Sequence, residues 1–209
     1  MHQSSLTRMQ SFATEYVDCR RGQPLRILDI GSYDVNGTYR QVLDDPAWEY
    51  VGIDAVTGPG VDVTVQQTYR WPELRHDSFD LAVSGQAFEH IQFPWVTILE
   101  VARVLRPGGL LFLVVPSSGP EHRFPMDCWR YYPDGLVALA QWADLDVVEA
   151  KTYWENEGWS DDSDDWHDSV LVAKKRIDAR LRVTTKRMLL RVSMQFQASR
   201  RERKLSHLR

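Results

Sequence analysis

The chain has 209 residues, 43% of them apolar and 26% charged, with a net charge of −4. That length suits one α/β domain with an extra arm, and that composition builds a packed core and excludes global disorder. Two cysteines, Cys19 and Cys128, exclude a disulfide scaffold and a cysteine-rich zinc site, and apolar runs such as 110–116 fall far short of the ~20 residues that span a membrane. Met1 to Ser5 lack the charged-then-apolar layout of a signal peptide, so a reducing cytoplasm is the expected compartment.

The charge is unevenly placed. Residues 1–173 hold 12 Lys and Arg against 27 Asp and Glu, while residues 174–209 hold 13 against two. A basic tail can seek nucleic acid, anionic lipid or an acidic protein surface; the expected arrangement is a solvated helix that pairs with its own acidic body.

In chain order, Leu6, Met9, Phe12, Ala13, Tyr16 and Val17 recur at helical spacing, which predicts an amphipathic helix over 4–19. Arg21-Gly22-Gln23-Pro24 breaks it. Strands are predicted at 26–30, 50–54, 60–65 and 79–84, then a helix over 95–105 stopped by Arg106-Pro107-Gly108-Gly109. Residues 110–115 are apolar throughout, as a central parallel strand is. A helix over 133–143 precedes two late strands, 146–150 and 169–173, and between them lies a segment rich in Asp and Trp. From about 176 the chain reads as a second amphipathic helix carrying Ile177, Leu181, Met188, Leu189, Val192 and Phe196 among Arg and Lys. Strands alternating with helices predict a doubly wound sheet.

In such a sheet, ligands sit beyond the carboxyl ends of the strands. The first strand ends at Gly31, where backbone approaches a ligand closely, and the second ends at Asp54, whose carboxylate can accept both hydroxyls of a ribose. The loop reads Gly-x-x-x-x-x-Gly from Gly31 to Gly37, not the tighter triplet that seats a pyrophosphate on a helix N-terminus, which disfavours a nicotinamide dehydrogenase.

Leu28-Asp29-Ile30-Gly31-Ser32, Gly52-Ile53-Asp54, Phe79-Asp80-Leu81-Ala82-Val83-Ser84, Phe88-Glu89-His90-Ile91 and the Leu105-Arg106-Pro107-Gly108-Gly109 turn occur in this order. Together they resemble class I S-adenosylmethionine-dependent methyltransferases, in particular the small bacterial branch that modifies glycans and secondary metabolites, over about residues 25–175. The resemblance implies a seven-stranded Rossmann-like sheet with an antiparallel last strand, and S-adenosylmethionine as cofactor. It implies that Gly31, Ser32 and Tyr33 line the methionine part, that Asp29 fixes the loop or meets the amino group through water, and that Asp54 holds the ribose with Ala55 beside the adenine. Gln66 stands where many members carry a carboxylate for the adenine amino group, and Ser84, Gly85 and Gln86 would lie under the sulfonium. The division expected is a methyltransferase domain over 1–175 and a basic helical extension over 176–209.

Residues 116–132 follow the fifth strand, so they belong to the ligand edge. A hydroxyl acceptor gains from a general base, and His122 is the first candidate, with Asp127 to orient it or bind the acceptor; His90 is the second. Some members of the family hold magnesium with two Glu and a His around this region. Glu89, His90 and His122 could supply part of such a set, but Gln86 stands where the first Glu would be. Hard cations prefer carboxylates, so no metal is expected. Asp161, Asp162, Asp164 and Asp165 lack the closing Glu and central Gly of a calcium loop and read as a solvated turn, a possible partner for the basic tail. Trp129, Trp154, Trp159, Trp166, Tyr131, Tyr132 and Tyr153 offer flat apolar faces for a sugar ring or an aromatic acceptor.

The expected activity is O-methylation of a hydroxyl on a saccharide or secondary metabolite. The alternatives are N-methylation of an amino sugar or small amine, and a non-catalytic cofactor-binding protein. The tail carries only Phe196 among aromatics, so nucleic acid is not the expected partner. A homodimer through the tail is favoured over peripheral contact with an anionic membrane.

Overall fold

The computed structural model describes residues 2–190. Seven strands form one sheet: β1 (Leu25–Ile30), β2 (Trp48–Asp54), β3 (Val63–Thr64), β4 (Phe79–Gly85), β5 (Leu105–Pro116), β6 (Leu145–Thr152) and β7 (Asp168–Lys175), in the order β3-β2-β1-β4-β5-β7-β6. The first five strands are parallel, and β7 enters antiparallel between β5 and β6. The order reverses between β1 and β4, which puts the topological switch point, and hence the ligand crevice, at the carboxyl ends of those two strands.

Both faces of the sheet are buried, because successive side chains alternate and both sets are apolar. Leu28, Ala82, Leu111, Leu113 and Leu171 face one core with helices α2 (Pro94–Val104) and α3 (Pro133–Trp142). Ile27, Leu81, Val83, Phe112 and Val172 face the other, under helix α1 (Gln3–Phe12), where Phe12 stacks on Phe112 at 4.3 Å between ring centroids. α1 continues through a π turn at Ala13–Val17 and a 3-10 turn at Asp18–Arg20, so the segment expected at 4–19 is helical in three pitches. α2 and α3 each open on a proline, whose missing N–H is one of the unpaired donors of a first turn.

Three elements differ from expectation. The strand expected over 60–65 shrinks to Val63–Thr64, because Gly60 turns at φ +80° and the Asp62 carboxylate accepts the Gly52 N–H at 2.7 Å beside the Arg40 guanidinium. The side chain takes one bond of the ladder there, while the Asp62 N–H keeps the other, to the Gly52 carbonyl at 2.8 Å. The Arg106–Gly109 turn lies inside β5 as a bulge: Phe79 pairs with Leu105, and Leu81 with Leu110. The late strands are longer than 146–150 and 169–173, and their connection carries a short helix, α4 (Ser163–Trp166).

A fourth difference concerns the tail. Residues 179–190 form helix α5, and its buried face is Ala179 and Val183, with Leu190 packed alongside. Ile177, Leu181, Met188 and Leu189 stay exposed, so the expected apolar stripe is not the face that seats the helix. Val192 and Phe196 lie outside the described residues. The cations of α5 do meet the acidic body: Arg182 and Lys186 both reach Asp144 at 2.8 Å, Arg180 lies 3.5 Å from Asp77, and Arg187 pairs with Glu100. The 161–165 turn is engaged with the amino-terminal residues instead. Asp161 accepts the Gln3 N–H at 2.9 Å, Asp162 pairs with His2 at 3.0 Å, and Asp164 accepts the backbone N–H groups of Glu157, Gly158 and Trp159.

Candidate active site

The cofactor-facing residues predicted from sequence converge at the ends of β1, β2 and β4. Gly31 and Ser32 both donate their N–H to the Ile53 carbonyl, at 2.9 and 3.1 Å. Gly31 turns at φ +78°, and a Cβ there would lie 2.4 Å from that of Ala87, so this turn is closed to any other residue. Asp54, half-buried, accepts the Tyr33 N–H on one carboxylate oxygen at 3.3 Å and the Val56 N–H on the other at 3.0 Å. Each oxygen keeps a second lone pair, as binding a vicinal diol requires. Ala55 is exposed beside it. The Tyr33 ring lies over Gly58 so closely that a Cβ at Gly58 would clash with it, which makes a flat partly exposed floor. Val65 donates to the Asp54 carbonyl at 2.9 Å, leaving Gln66 exposed at the next position. A half-buried carboxylate with free lone pairs, an aromatic floor and an open glycine loop fit a nucleoside carrying an amino-acid tail.

Other predicted residues are placed differently. The Asp29 carboxylate is buried and accepts the Tyr50 hydroxyl at 2.6 Å; burial pushes its pKa up to about 6 against that hydrogen bond. The Ser84 hydroxyl donates to the Ile30 carbonyl at 2.7 Å and is buried, so it ties β4 to β1 rather than facing a ligand. Gly85 packs on Tyr39, whose hydroxyl meets that of Ser5 at 2.5 Å. Gln86, at φ +53°, donates its amide N–H to the buried Asp168 at 2.7 Å. Tyr39 and Asp168 had no sequence signal, because their partners lie far along the chain.

The acceptor candidates form a second group. Residues 116–132 are fastened to the 3-10 turn Phe88–His90: Cys128 and Trp129 donate to the Glu89 carbonyl at 2.8 and 3.2 Å, and the Tyr131 hydroxyl donates to the Phe88 carbonyl at 3.0 Å. His90 and His122 meet edge to face, 4.8 Å between centroids, and His122 also packs on Trp166 at 4.6 Å and Phe124 at 5.9 Å. Burial, then the neighbouring His90, lower the His122 pKa, which keeps the ring neutral at neutral pH. Asp127 accepts the His122 backbone N–H at 2.8 Å, and both its oxygens accept from Arg130, at 2.6 and 2.8 Å. That guanidinium holds the Asp127 carboxyl down to about 2. Asp127 thus anchors the loop, with its Oδ2 3.5 Å from His122 Nδ1.

Beneath them lies Glu89, 0% exposed, with neither carboxylate oxygen hydrogen-bonded among the described residues. Burial pushes its pKa up to about 8. Ligand atoms of Glu89, His90 and His122 all lie within 4.8 Å of one another. Met126, Trp129, Tyr132 and Trp154 are exposed, with Tyr132 and Trp154 stacked at 6.0 Å.

A family profile described as a methyltransferase domain matches residues 28–113, from β1 into β5. Over that stretch the chain is similar to the methyltransferase-domain family. Solved structures share the methyltransferase fold. The [4+2]-cyclase SpnF superposes with a TM-score of 0.63 at 17% identity, over 84% of this chain and 83% of that one. The Burkholderia thailandensis 1,6-didemethyltoxoflavin N1-methyltransferase, with its namesake compound and S-adenosylhomocysteine bound, gives 0.60 at 16% over 83% and 79%. The Haemonchus contortus phosphoethanolamine N-methyltransferase 2, with S-adenosylmethionine, gives 0.60 at 15% over 81% and 52%. No curated protein sequence matches this chain significantly. No helix among the described residues is long and apolar enough to cross a membrane.

Proposed function

We propose that this chain is an S-adenosylmethionine-dependent methyltransferase that acts on a hydroxyl of a saccharide or secondary metabolite, with His122 as general base. The observation that carries the reading is the position of His122: a neutral imidazole between Trp166, Phe124 and His90, on the loop that leaves β5 at the cofactor edge. S-adenosylmethionine supplies a methyl group already activated by a positive sulfur. The chain's own part is to hold the acceptor oxygen in line, exclude water and receive the hydroxyl proton on an imidazole nitrogen. Asp54 takes the ribose, with Gly31, Ser32, Tyr33, Ala55 and Gln66 around the nucleoside and tail. Gly85 and Gln86 form the backbone beneath the reacting atoms, and Asp29 and Ser84 support the loop from below. Asp127 positions His122, and His90 flanks it. Trp129, Tyr132 and Trp154 offer the sugar or aromatic ring a flat wall.

The exposed Ile177, Leu181, Met188 and Leu189 of α5 suit a second copy of the chain. The compartment we assign is the cytoplasm, and salt-sensitive binding to anionic liposomes would replace the dimer with a membrane contact.

Transfer of labelled methyl from S-adenosylmethionine to a panel of glycans, phenols, amino sugars and amines tests the reading. Label on hydroxyl acceptors supports it. Label on nitrogen alone replaces it with N-methylation, and cofactor binding with no transfer to any class replaces it with a non-catalytic role.

A further inference from the structure

Glu89 is fully buried, and neither of its carboxylate oxygens finds a hydrogen bond among the described residues. A protein seldom leaves both oxygens of a buried carboxylate unpartnered. An imidazole lies beside them. His90 Nδ1 lies 2.5 Å from the Met126 carbonyl oxygen, and a carbonyl only accepts, so Nδ1 carries a hydrogen and, in the neutral ring, Nε2 carries the lone pair. That lone pair faces Glu89 Oε1 across 3.6 Å, too far for a hydrogen bond. His122 brings a further ring nitrogen, and ligand atoms of all three residues lie within 4.8 Å of one another. A carboxylate and two imidazoles, each able to give an electron pair to a cation, converge on one place, and the contact of His90 with the Met126 carbonyl is the outer-shell bond that orients a metal-binding imidazole.

We propose that Glu89, His90 and His122 form a site for a borderline divalent cation of the zinc class. Two imidazoles and one carboxylate are the donor set of Zn2+ and its neighbours, whereas Mg2+ and Ca2+ seek oxygen. Ligand atoms around a tetrahedral Zn2+ stand roughly 3.3 Å apart for bonds of ~2 Å, so small side-chain rotations close the set. The sequence-based expectation of no metal rested on Gln86 replacing a carboxylate. In the structure Gln86 turns to Asp168, and the three remaining donors still meet. The site shares its pocket with the base reading of His122 but does not depend on it. A cation there takes the lone pair that base catalysis requires, so the loaded enzyme is the inactive form.

The test uses full-length protein stripped with a chelator. Calorimetry with Zn2+, and the visible d–d absorption of Co2+, are expected to show one equivalent bound, with Mg2+ not competing. Glu89→Gln and His90→Ala should each weaken Zn2+ binding at least ~10-fold. His2→Ala and Asp161→Asn, which remove the other described cluster of potential ligands, should leave it unchanged. In the wild type, Co2+ should broaden the ring-proton NMR signals of His90 and His122 and spare those of His76, a readout that no variant's folding affects. No stoichiometric binding, or binding that His2→Ala removes and Glu89→Gln does not, overturns the site. A chelator that raises turnover agrees with the exclusive occupation of His122. A chelator that abolishes turnover overturns the inactive-form assignment and the base reading while the binding data stand alone.

Discussion

Arg187 of α5 reaches Glu100 in the middle of α2, a carboxylate that Arg103 also holds at 2.8 Å. Glu100 further accepts the Trp71 N–H at 3.2 Å, and Arg103 donates to the Trp71 and Leu74 carbonyls. The basic extension therefore closes a buried polar network of the main core, beside the buried Ala179 and Val183. Truncation after Lys175 is expected to lower unfolding free energy by roughly 3 kcal/mol, from lost apolar burial and an opened network. Urea melts of the full and truncated chains check this, and coincident midpoints would show that α5 contributes nothing to the core.

Cofactor choice follows from Asp54. S-adenosylhomocysteine should raise the Tm and NAD should not, because the loop from Gly31 to Gly37 offers no seat for a pyrophosphate. Asp54→Ala removes the diol acceptor and also the acceptor of the Tyr33 and Val56 N–H groups. Calorimetry should show S-adenosylhomocysteine affinity falling at least ~30-fold, about 2 kcal/mol. Tight NAD binding in the wild type would contradict the site.

His122→Ala should lower turnover by ~10²–10⁴-fold, the usual contribution of a general base, with cofactor affinity nearly unchanged. Steady-state kinetics beside calorimetry separates the two. Unchanged turnover would leave positioning alone as the catalytic device.

Asp29 gives a pH-dependent test. Its carboxyl is raised by burial to about 6, from an ordinary value near 3.8, so the folded chain holds this proton more tightly than the unfolded one. The stability it contributes is fully present below about pH 4 and is lost as pH rises through 6. Asp29→Asn removes the ionised form and leaves an oxygen for the Tyr50 hydroxyl. It should stabilise the protein by about 3 kcal/mol at pH 7.5 and by almost nothing at pH 4. Denaturant melts at the two pH values decide it, and a loss of stability at both would show that the carboxylate itself is needed.

Much of this was legible in the residues. The apolar alternation of β4 and β5, the glycine turn after β1 and the acid closing β2 are local signals, and local chemistry dictates them. Ser84 and Gln86 were assigned to the ligand because their position in the chain is right, yet their side chains go to Ile30 and Asp168, partners 54 and 82 residues away. Helical spacing of Ile177, Leu181 and Met188 marked an apolar stripe, but small residues, Ala179 and Val183, allow closer approach to the core and set the rotation of α5. Glu89 read only as one member of an incomplete metal set, since nothing in a Glu-His pair announces that the carboxylate is enclosed.

The hydroxyl pair of Ser5 and Tyr39 beneath Gly85 has a practical side. The first residues of α1 support the end of β4 from behind, while Gln3 and Ser4 are hydrogen-bonded to Asp161 and Ser163. A purification tag fused directly ahead of His2 pulls on those contacts, and preparations made that way should retain less S-adenosylhomocysteine than preparations from which the tag has been cleaved.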